Sequence, residues 1–452
     1  MKMGLLNFFS KGTFSHGVHP PTNKEITSAK KIRRLPFADH LVLPLNQHIG
    51  KPAKAIVRKG QEVVRGEPIA EADGFVSVPL HAPATGRVKA IRPMPTARGE
   101  QFMSIVLDVY EGDTQQVQWC HEYDIDNMGA AQLRQAIQDM GMVGLGGAAF
   151  PSHAKVTIPD DKTVDTLVIN GCECEPYLSC DHRTMLEHPE DLMRGISLVM
   201  RAAEVTKALI GIEDNKMNAV EKLREYIPQG SNISVVAVET KYPQGSEKML
   251  LKSLLGKEVP AGKIPLDIGV VVNNVGTVTA IGQLLPKGEG MTERVVTVTG
   301  PGIDKPGNYI IPLGTPIGFV LEQVGYRGGR NNFVLGGPMM GPSVSDLETP
   351  ITKGSSGLLI LNEAEVLKET RRIWPCIKCG QCLDACPMHL NPSQLGQLAG
   401  KRQFALMAEE YHLNDCFECG CCSYVCPSNI PLVQQFRVAK AYNREQVALK
   451  NE

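Results

Sequence analysis

Eight cysteines near one end carry the plainest chemistry in this chain of 452 residues. They fall in two copies of one spacing: Cys376, Cys379, Cys382 and Cys386 before Pro387, then Cys416, Cys419, Cys422 and Cys426 before Pro427. Each copy reads C-x2-C-x2-C-x3-C-P, the run that wraps a [4Fe–4S] cluster. Thiolates are soft ligands suited to iron–sulfur chemistry. The first three cysteines of a copy share one tight loop and reach three irons of one cube. The fourth lies past a turn and, where two clusters occur, ligates the other cluster. The spacing therefore predicts one cluster on Cys376, Cys379, Cys382 and Cys426, and another on Cys416, Cys419, Cys422 and Cys386. Structural zinc would use well-separated pairs and needs neither the third cysteine nor the trailing Cys-Pro. A disulfide framework belongs to secreted chains, and nothing marks this one as secreted. Cys421 breaks the spacing and reads as a spare buried thiol. Two clusters imply a relay of single electrons.

Four other stretches group polar residues with glycine. The loop Gly144-Leu-Gly146-Gly147-Ala-Ala-Phe-Pro151 leads to Lys155. Glycines let backbone N–H groups approach an anion closely, and a lysine adds charge. The loop is neither a Walker A nor a G-x-G-x-x-G pattern, so an ordinary structural turn is the alternative. The apolar run Val164 to Ile169 reads as a buried parallel strand and delivers Asn170, Glu173 and Glu175 at its carboxyl end. Ligands of open α/β sheets bind there, and two carboxylates with an amide can hydrogen-bond a ribityl chain or a nicotinamide ribose and amide. A polar turn is the plainer reading. Cys172, Cys174 and Cys180 lack a fourth partner and read as small buried residues. A further patch runs from Tyr242 to Lys257, and Asn273-Asn274-Val-Gly-Thr277 follows another buried strand. Paired asparagines offer donors and acceptors without charge, which suits a flavin or its phosphate ester.

These residues need elements to hold them, and the length allows two to four domains. Residues 1–30 look irregular; Phe14-Ser-His16-Gly-Val-His19-Pro-Pro21 reads as a rigid packing strap, since two histidines alone make no metal site. From 40 to 110, turn glycines at Gly60, Gly66, Gly74 and Gly86 separate short strands of a small all-β unit. A helix is expected over 126–141, capped by Asp126 or Asn127, with Leu133, Ala136, Ile137 and Met140 as its apolar stripe and Gly141 ending it. Helices near 189–204, 214–227 and 246–255 then alternate with strands near 208–212, 233–238 and 268–272, an α/β pattern with a largely parallel sheet. Residues 294–325 are β-rich again. In the cysteine-rich end, Leu395, Leu398, Phe404, Leu406, Met407 and Tyr411 recur at helical spacing, and a further helix runs from Leu432 towards Leu449. With a net charge of −1, the chain offers no electrostatic case for nucleic acid. Thirteen cysteines with eight in cluster spacing imply a reducing compartment. The first ten residues are too short and too polar afterwards for a secretory signal, and no run reaches the eighteen or so apolar residues of a membrane helix.

The run from Val57 to Val88 resembles a lipoyl-type barrel-sandwich domain, in which a hairpin Glu-x-Asp-Lys carries the lipoyl group. Here Glu71-Ala-Asp73 is followed by Gly74, so the resemblance implies a docking module and not a carrier arm. The order of the next patches resembles the NADH-oxidising FMN subunit of respiratory complex I, whose loop reads Gly-Gly-Ala-Gly-Phe-Pro and whose later motifs read Asn-Ala-Asp-Glu-Gly-Glu-Pro and Asn-Asn-Val-Glu-Thr. Ala149, Cys172, Cys174 and Gly276 depart from those motifs. With the His-Pro-Pro segment, the barrel-sandwich unit and both cysteine motifs included, nearly the whole chain resembles the RnfC family of the Rnf electron-transport complex.

That resemblance implies four units: residues 1–120 as N-terminal segment and barrel-sandwich domain, 121–288 as the α/β FMN/NADH domain, 289–362 as a β-grasp SLBB-like domain, and 363–452 as a helical ferredoxin domain. It implies two [4Fe–4S] clusters, FMN and NAD(H) as cofactors. Gly144, Gly146, Gly147, Lys155, Asn170, Asn273, Asn274 and Thr277 would hold FMN, and Glu173 and Glu175 would serve as catalytic contacts on the nicotinamide side. Electrons would pass between NADH, FMN and the clusters to other Rnf membrane subunits, notably the ferredoxin-like RnfB, and indirectly to ferredoxin. The chain would sit peripherally on the cytoplasmic face of a bacterial inner membrane, held only through partners. The rival expectations are a soluble NADH:acceptor diaphorase of the cobalamin-reductase type and a non-catalytic iron–sulfur relay.

Overall fold

A computed structural model describes residues 12–111, 115–329, 332–362 and 372–451. The first eleven residues and the stretch 363–371, which opens the expected ferredoxin unit, lie outside the described residues.

The N-terminal unit packs two antiparallel sheets. Strands His40–Pro44, Glu62–Val63, Gly86–Pro95 and Gln101–Val109 form one, and Lys54–Ala55, Pro68–Glu71 and Leu80–His81 the other. Alternation drives this: Leu41, Leu43, Ile105 and Leu107 point into a common core. Gly86 is not a turn glycine. It opens the long strand, and a Cβ there would meet the Asp108 carbonyl at 2.1 Å. Gly74, by contrast, sits at a hairpin tip with φ +98°. The next residue, Phe75, is exposed, and its carbonyl accepts from His153 Nε2 at 2.7 Å. The barrel-sandwich tip thus rests on the helix that follows the Gly-rich loop.

The α/β unit is built on four parallel strands in the spatial order Ile233–Val238, Lys207–Glu213, Thr166–Gly171, Val270–Asn274. Helices cover both faces, so Leu167, Val168, Ile169, Val270, Val271 and Val272 are all buried. Its first helix spans Ala130–Asp139 and not the expected 126–141. Asp124 and Asn127 spend their side chains on a turn of their own, and Gly129 takes the N-cap, its N–H donating to Gln132 Oε1 at 2.8 Å. The core of this unit runs without a break into that of the barrel sandwich.

A third unit is a six-stranded mixed sheet from Glu293–Thr299 to Gly357–Leu361, with helix Ile317–Gln323 packed on it. The N-terminal segment supplies its edge: Arg33–Arg34 runs parallel to Gly307–Pro312. The cysteine-rich unit is helical, with Pro392–Gly400, Phe404–Glu409 and Leu432–Asn451 around a separate core of Leu395, Met407, Leu413, Phe436 and Ala439.

Candidate functional site

In the parallel sheet the chain runs outward from Thr166–Gly171 in one direction, then returns to add Val270–Asn274 on the other side. The carboxyl ends of those two neighbours mark the topological switch point where open α/β sheets bind ligands. Asn170 and Asn274 stand opposite each other in that register, with Asn273 opposite Ile169.

The Gly-rich loop folds down onto this point. Leu145 N–H donates to Thr277 Oγ1 at 2.8 Å, and Gly146 lies so close that a Cβ would meet Asn274 at 3.3 Å. Gly146 and Gly147 are exposed, and a Cβ on Gly147 would meet nothing. A bare backbone thus lines an open cleft. Ala149 adopts φ +50°, the left-handed conformation that favours glycine. Asn274 caps the helix Val275–Leu284 by accepting from Thr277 N at 3.2 Å, and its Nδ2 donates to Asp181 at 2.7 Å. Asn170 bridges Gly245 O and Cys172 N. Lys155 pairs with Glu247 and reaches Val272 O at 3.4 Å. Asn273 is 2 % exposed, yet its Nδ2 has no partner. The glycine cradle at Asn274, and the orphaned buried amide of Asn273 next to it in the strand, suit a flavin nucleotide with polar edges and a phosphate.

The two glutamates part company. Glu173 is buried against the N-terminus of helix Cys180–Glu187, accepting from Asp181 N at 2.9 Å and His182 N at 3.3 Å. With Cys180 and Asp181 it forms, among the described residues, the one set of three such ligand atoms within 4.8 Å of one another. Its oxygens are already engaged by these N–H donors, which makes it a helix cap. Burial raises the Asp181 carboxyl to about 7, and Glu173 adds to the effect. Lys24 from the N-terminal segment enters beneath this loop, donating to Glu175 O and Leu178 O, with its charge opposed by burial. The Glu175 side chain turns the other way, accepting from Met339 N at 3.1 Å, and burial raises it to about 7.

That turn leads to the cysteines. Both motifs adopt the same loop, with Lys378 and Glu418 left-handed at φ +57° and +63°. This aims their N–H groups at Cys376 Sγ and Cys416 Sγ, each at 3.4 Å. Burial raises the Cys382 thiol, and Cys426, Cys376 and Cys379 raise it further. Burial also raises Cys422, helped by Cys416, Cys419 and Cys386. Cys386, the fourth cysteine of the first motif, lines one pocket with the second motif's trio, and Cys426 lies near enough to Cys382 to raise its thiol. Crowded thiols that push one another up are stabilised as thiolates by a metal cluster, and amides that donate to sulfur suit the same cluster. Among the described residues, none of these thiols converges in threes within 4.8 Å, as a single ion would require. Cys386, Cys416, Cys419 and Cys422 line one small pocket walled by Leu395 and Phe436.

One residue joins the two sites. Tyr242, 2 % exposed, donates from its hydroxyl to Cys419 O at 2.7 Å and packs against Cys421. Cys174 lies in the same cluster and accepts from Gly245 N at 3.2 Å. Sequence reasoning placed Tyr242 in a nucleotide patch and saw nothing of this bridge. A tyrosine before a proline carries no spacing signal, and the contact spans 177 positions. Lys24 escaped notice for the same reason.

Comparison with known proteins covers the chain in four pieces: the RnfC barrel sandwich hybrid domain over residues 12–111, the Nuo51 FMN-binding domain over 137–283, the SLBB domain over 295–343 and the 4Fe-4S dicluster domain over 375–430. The C subunit of the proton-translocating ferredoxin:NAD(+) oxidoreductase complex of Clostridium ljungdahlii is 42% identical over 96% of this chain and 94% of its own length. Its counterpart in the Na(+)-translocating complex of Acetobacterium woodii is 40% identical over 95% and 96%. The C subunit of the ion-translocating oxidoreductase complex of Haemophilus influenzae is 39% identical over 97% of this chain, which spans 54% of that longer protein. An NAD+-reducing [NiFe]-hydrogenase structure shares the fold over 63% of this chain and 57% of its own, with a TM-score of 0.50 at 22% identity. The chain belongs to the RnfC family, the C subunits of ion-translocating ferredoxin:NAD+ oxidoreductase complexes.

Proposed function

We propose that this chain exchanges electrons with NAD(H) at the switch-point cleft and passes them through two [4Fe–4S] clusters to other subunits of a membrane complex, which couple the flow to ion translocation. The observation that carries it is the hydrogen bond from Tyr242 to Cys419 O, which sets a four-thiol cavity directly behind a flavin-type cleft. Bound in that cleft, FMN converts the two-electron chemistry of a hydride into single electrons. The protein's part is to bind and orient. Gly146 and Gly147 present bare N–H groups to the phosphate, while Gly144, whose N–H donates to Phe150 O at 2.8 Å, closes the loop that holds them. Asn170, Asn273, Asn274 and Thr277 frame the flavin, with Lys155 behind them. Glu173 holds the Cys180 helix in place, and Glu175 sits between cleft and cluster.

The same contact gives the relay an order. Cys386, Cys416, Cys419 and Cys422 hold the inner cluster. Cys376 and Cys379 are exposed, and Ile373, Trp374, Ile377, Leu383 and Tyr424 on the same unit expose apolar surface. The outer cluster is where a partner docks, in this reading the ferredoxin-like RnfB. No helix among the described residues is long and apolar enough to cross a membrane; in this reading such partners hold the chain at the cytoplasmic face.

The test is anaerobic. The full chain is reconstituted with iron, sulfide and FMN, then mixed with NADH while flavin and cluster absorbance are followed. Flavin bleaching followed by cluster reduction is expected. Bound flavin that stays oxidised would sink the NADH assignment.

A further inference from the structure

We propose that the N-terminal strap, residues 12–24, fixes the separation between the flavin cleft and the inner cluster, with His16, Gly17 and His389 as positioning residues. The redox consequence rests on the function proposed above; the mechanical part stands on geometry alone.

The strap grips the α/β unit along one side. Glu239 N donates to Gly12 O at 2.8 Å, and Lys241 donates to Phe14 O at 2.9 Å. Val18 pairs with Tyr242 in both directions, N to O at 2.8 Å and O to N at 2.9 Å. Further on, Tyr177 N donates to Thr22 O at 2.7 Å. The opposite side of the same few residues grips the cluster unit. Gly17 N donates to Ala385 O at 3.3 Å, one residue before the ligand Cys386. His16 Nδ1 contacts Leu383 O at 3.2 Å, and its ring meets that of His389 edge-on, 4.4 Å between centroids. Ser15 Oγ lies 3.0 Å from His389 Nε2. Both loops that ligate the inner cluster are therefore tied to Tyr242: the Cys419 loop directly, the Cys386 loop through the strap.

The apolar junction alone is small. Among the described residues it consists of the buried Val18, Tyr242, Ala385 and Cys421 with Cys174, Met339, Cys419 and Val425 half-buried around them, while the cluster unit keeps its own core elsewhere. Domains joined by small interfaces move relative to each other by default. Directional hydrogen bonds on two sides of one strand remove that freedom. Electron tunnelling falls steeply with distance, so a junction that rocks loses rate. Each NADH supplies a hydride, two electrons and a proton. The electrons cross singly to the inner cluster, and the proton leaves to water.

Gly17 adopts φ +82°, and a Cβ there would meet Tyr242 O at 2.6 Å. Gly17→Val therefore lifts the strap, and His16→Ala removes the ring contact more gently should the first variant fold poorly. Two readouts apply to the full chain. In hydrogen exchange without cofactors, Gly17→Val is expected to lose protection at Val18 and Tyr242 and, together with them, over 383–390. In the reconstituted chain, NADH should bleach the flavin at the wild-type rate, and dithionite should reduce the clusters as before. Cluster reduction by NADH should slow at least about tenfold, the scale of loss that ångström misplacements bring. Cluster reduction matching the wild type in both variants overturns the proposal. Should the wild type itself show no bleaching, the functional reading falls, and the exchange experiment alone decides the strap: protection over 383–390 that survives in Gly17→Val overturns it.

Discussion

Asn273 is the residue whose environment asks for a missing partner. Its Nδ2 is buried without a hydrogen bond, a state that costs about 1–3 kcal/mol. A bound flavin that accepts from it would recover that cost. Asn273→Ala should therefore weaken FMN retention by about tenfold, for the loss of about 1.4 kcal/mol, while leaving the melting temperature of the flavin-free chain unchanged or higher. Flavin content after gel filtration and thermal melts of both forms check this. A fall in stability of the flavin-free chain would mean that Asn273 is a structural amide. The sequence singles this residue out because paired asparagines after a buried strand are chemically specific. Asn274 and Thr277 were read from the same motif, yet Asn274 caps a helix and Thr277 anchors the glycine loop. Sequence names the residue type at a strand end but not the direction of its side chain, because neighbours from other segments compete for the same hydrogen bonds.

At the scale of elements, the crossed cysteine pattern is the feature that spacing gives away. In two-cluster proteins the fourth cysteine of such a run ligates the other cluster, and Cys386 lines the same pocket as Cys416, Cys419 and Cys422. Cys386→Ser should therefore disable the cluster of the second motif and leave that of the first. Iron content should fall by about half, and the surviving cluster's paramagnetic resonance signal should belong to Cys376, Cys379, Cys382 and Cys426. Loss of the first motif's cluster instead would refute the crossing. The parallel strands were equally legible, since buried runs such as Val270 to Val272 have no polar face to confuse them. The start of the Ala130–Asp139 helix was not, because Asp124 and Asn127 satisfy each other in a turn. The edge strand Arg33–Arg34 was invisible: two exposed arginines make no hydrophobic pattern, and their partner lies 276 positions away.

At the scale of the molecule, three units meet on one amine. Lys353 is fully buried and donates to Pro79 O at 2.9 Å in the barrel sandwich and to Gly141 O at 2.6 Å in the α/β unit. Burial lowers its pKa from 10.5 to about 7. Between those values the unfolded chain holds a proton that the folded chain has released, so stability rises with pH across the window. The contribution is complete above the unfolded value and is lost as pH falls through about 7. Lys353→Met should flatten this component. The wild type should gain about 2 kcal/mol more than the variant on going from about pH 7 to about pH 9, measured by denaturant unfolding of the cofactor-free chains. Equal slopes would place the titration elsewhere. The crossed ligation has a consequence of its own at this scale. Oxidants meet Cys376 and Cys379 first, because those thiols are exposed. In the proposed ligation, the cube they would hold also keeps Cys426 in place, at the far end of the motif that would bind the inner cube. Corrosion that begins at the rim thus unpins the interior, and the cluster unit should fail in air as a single event and not one cofactor at a time.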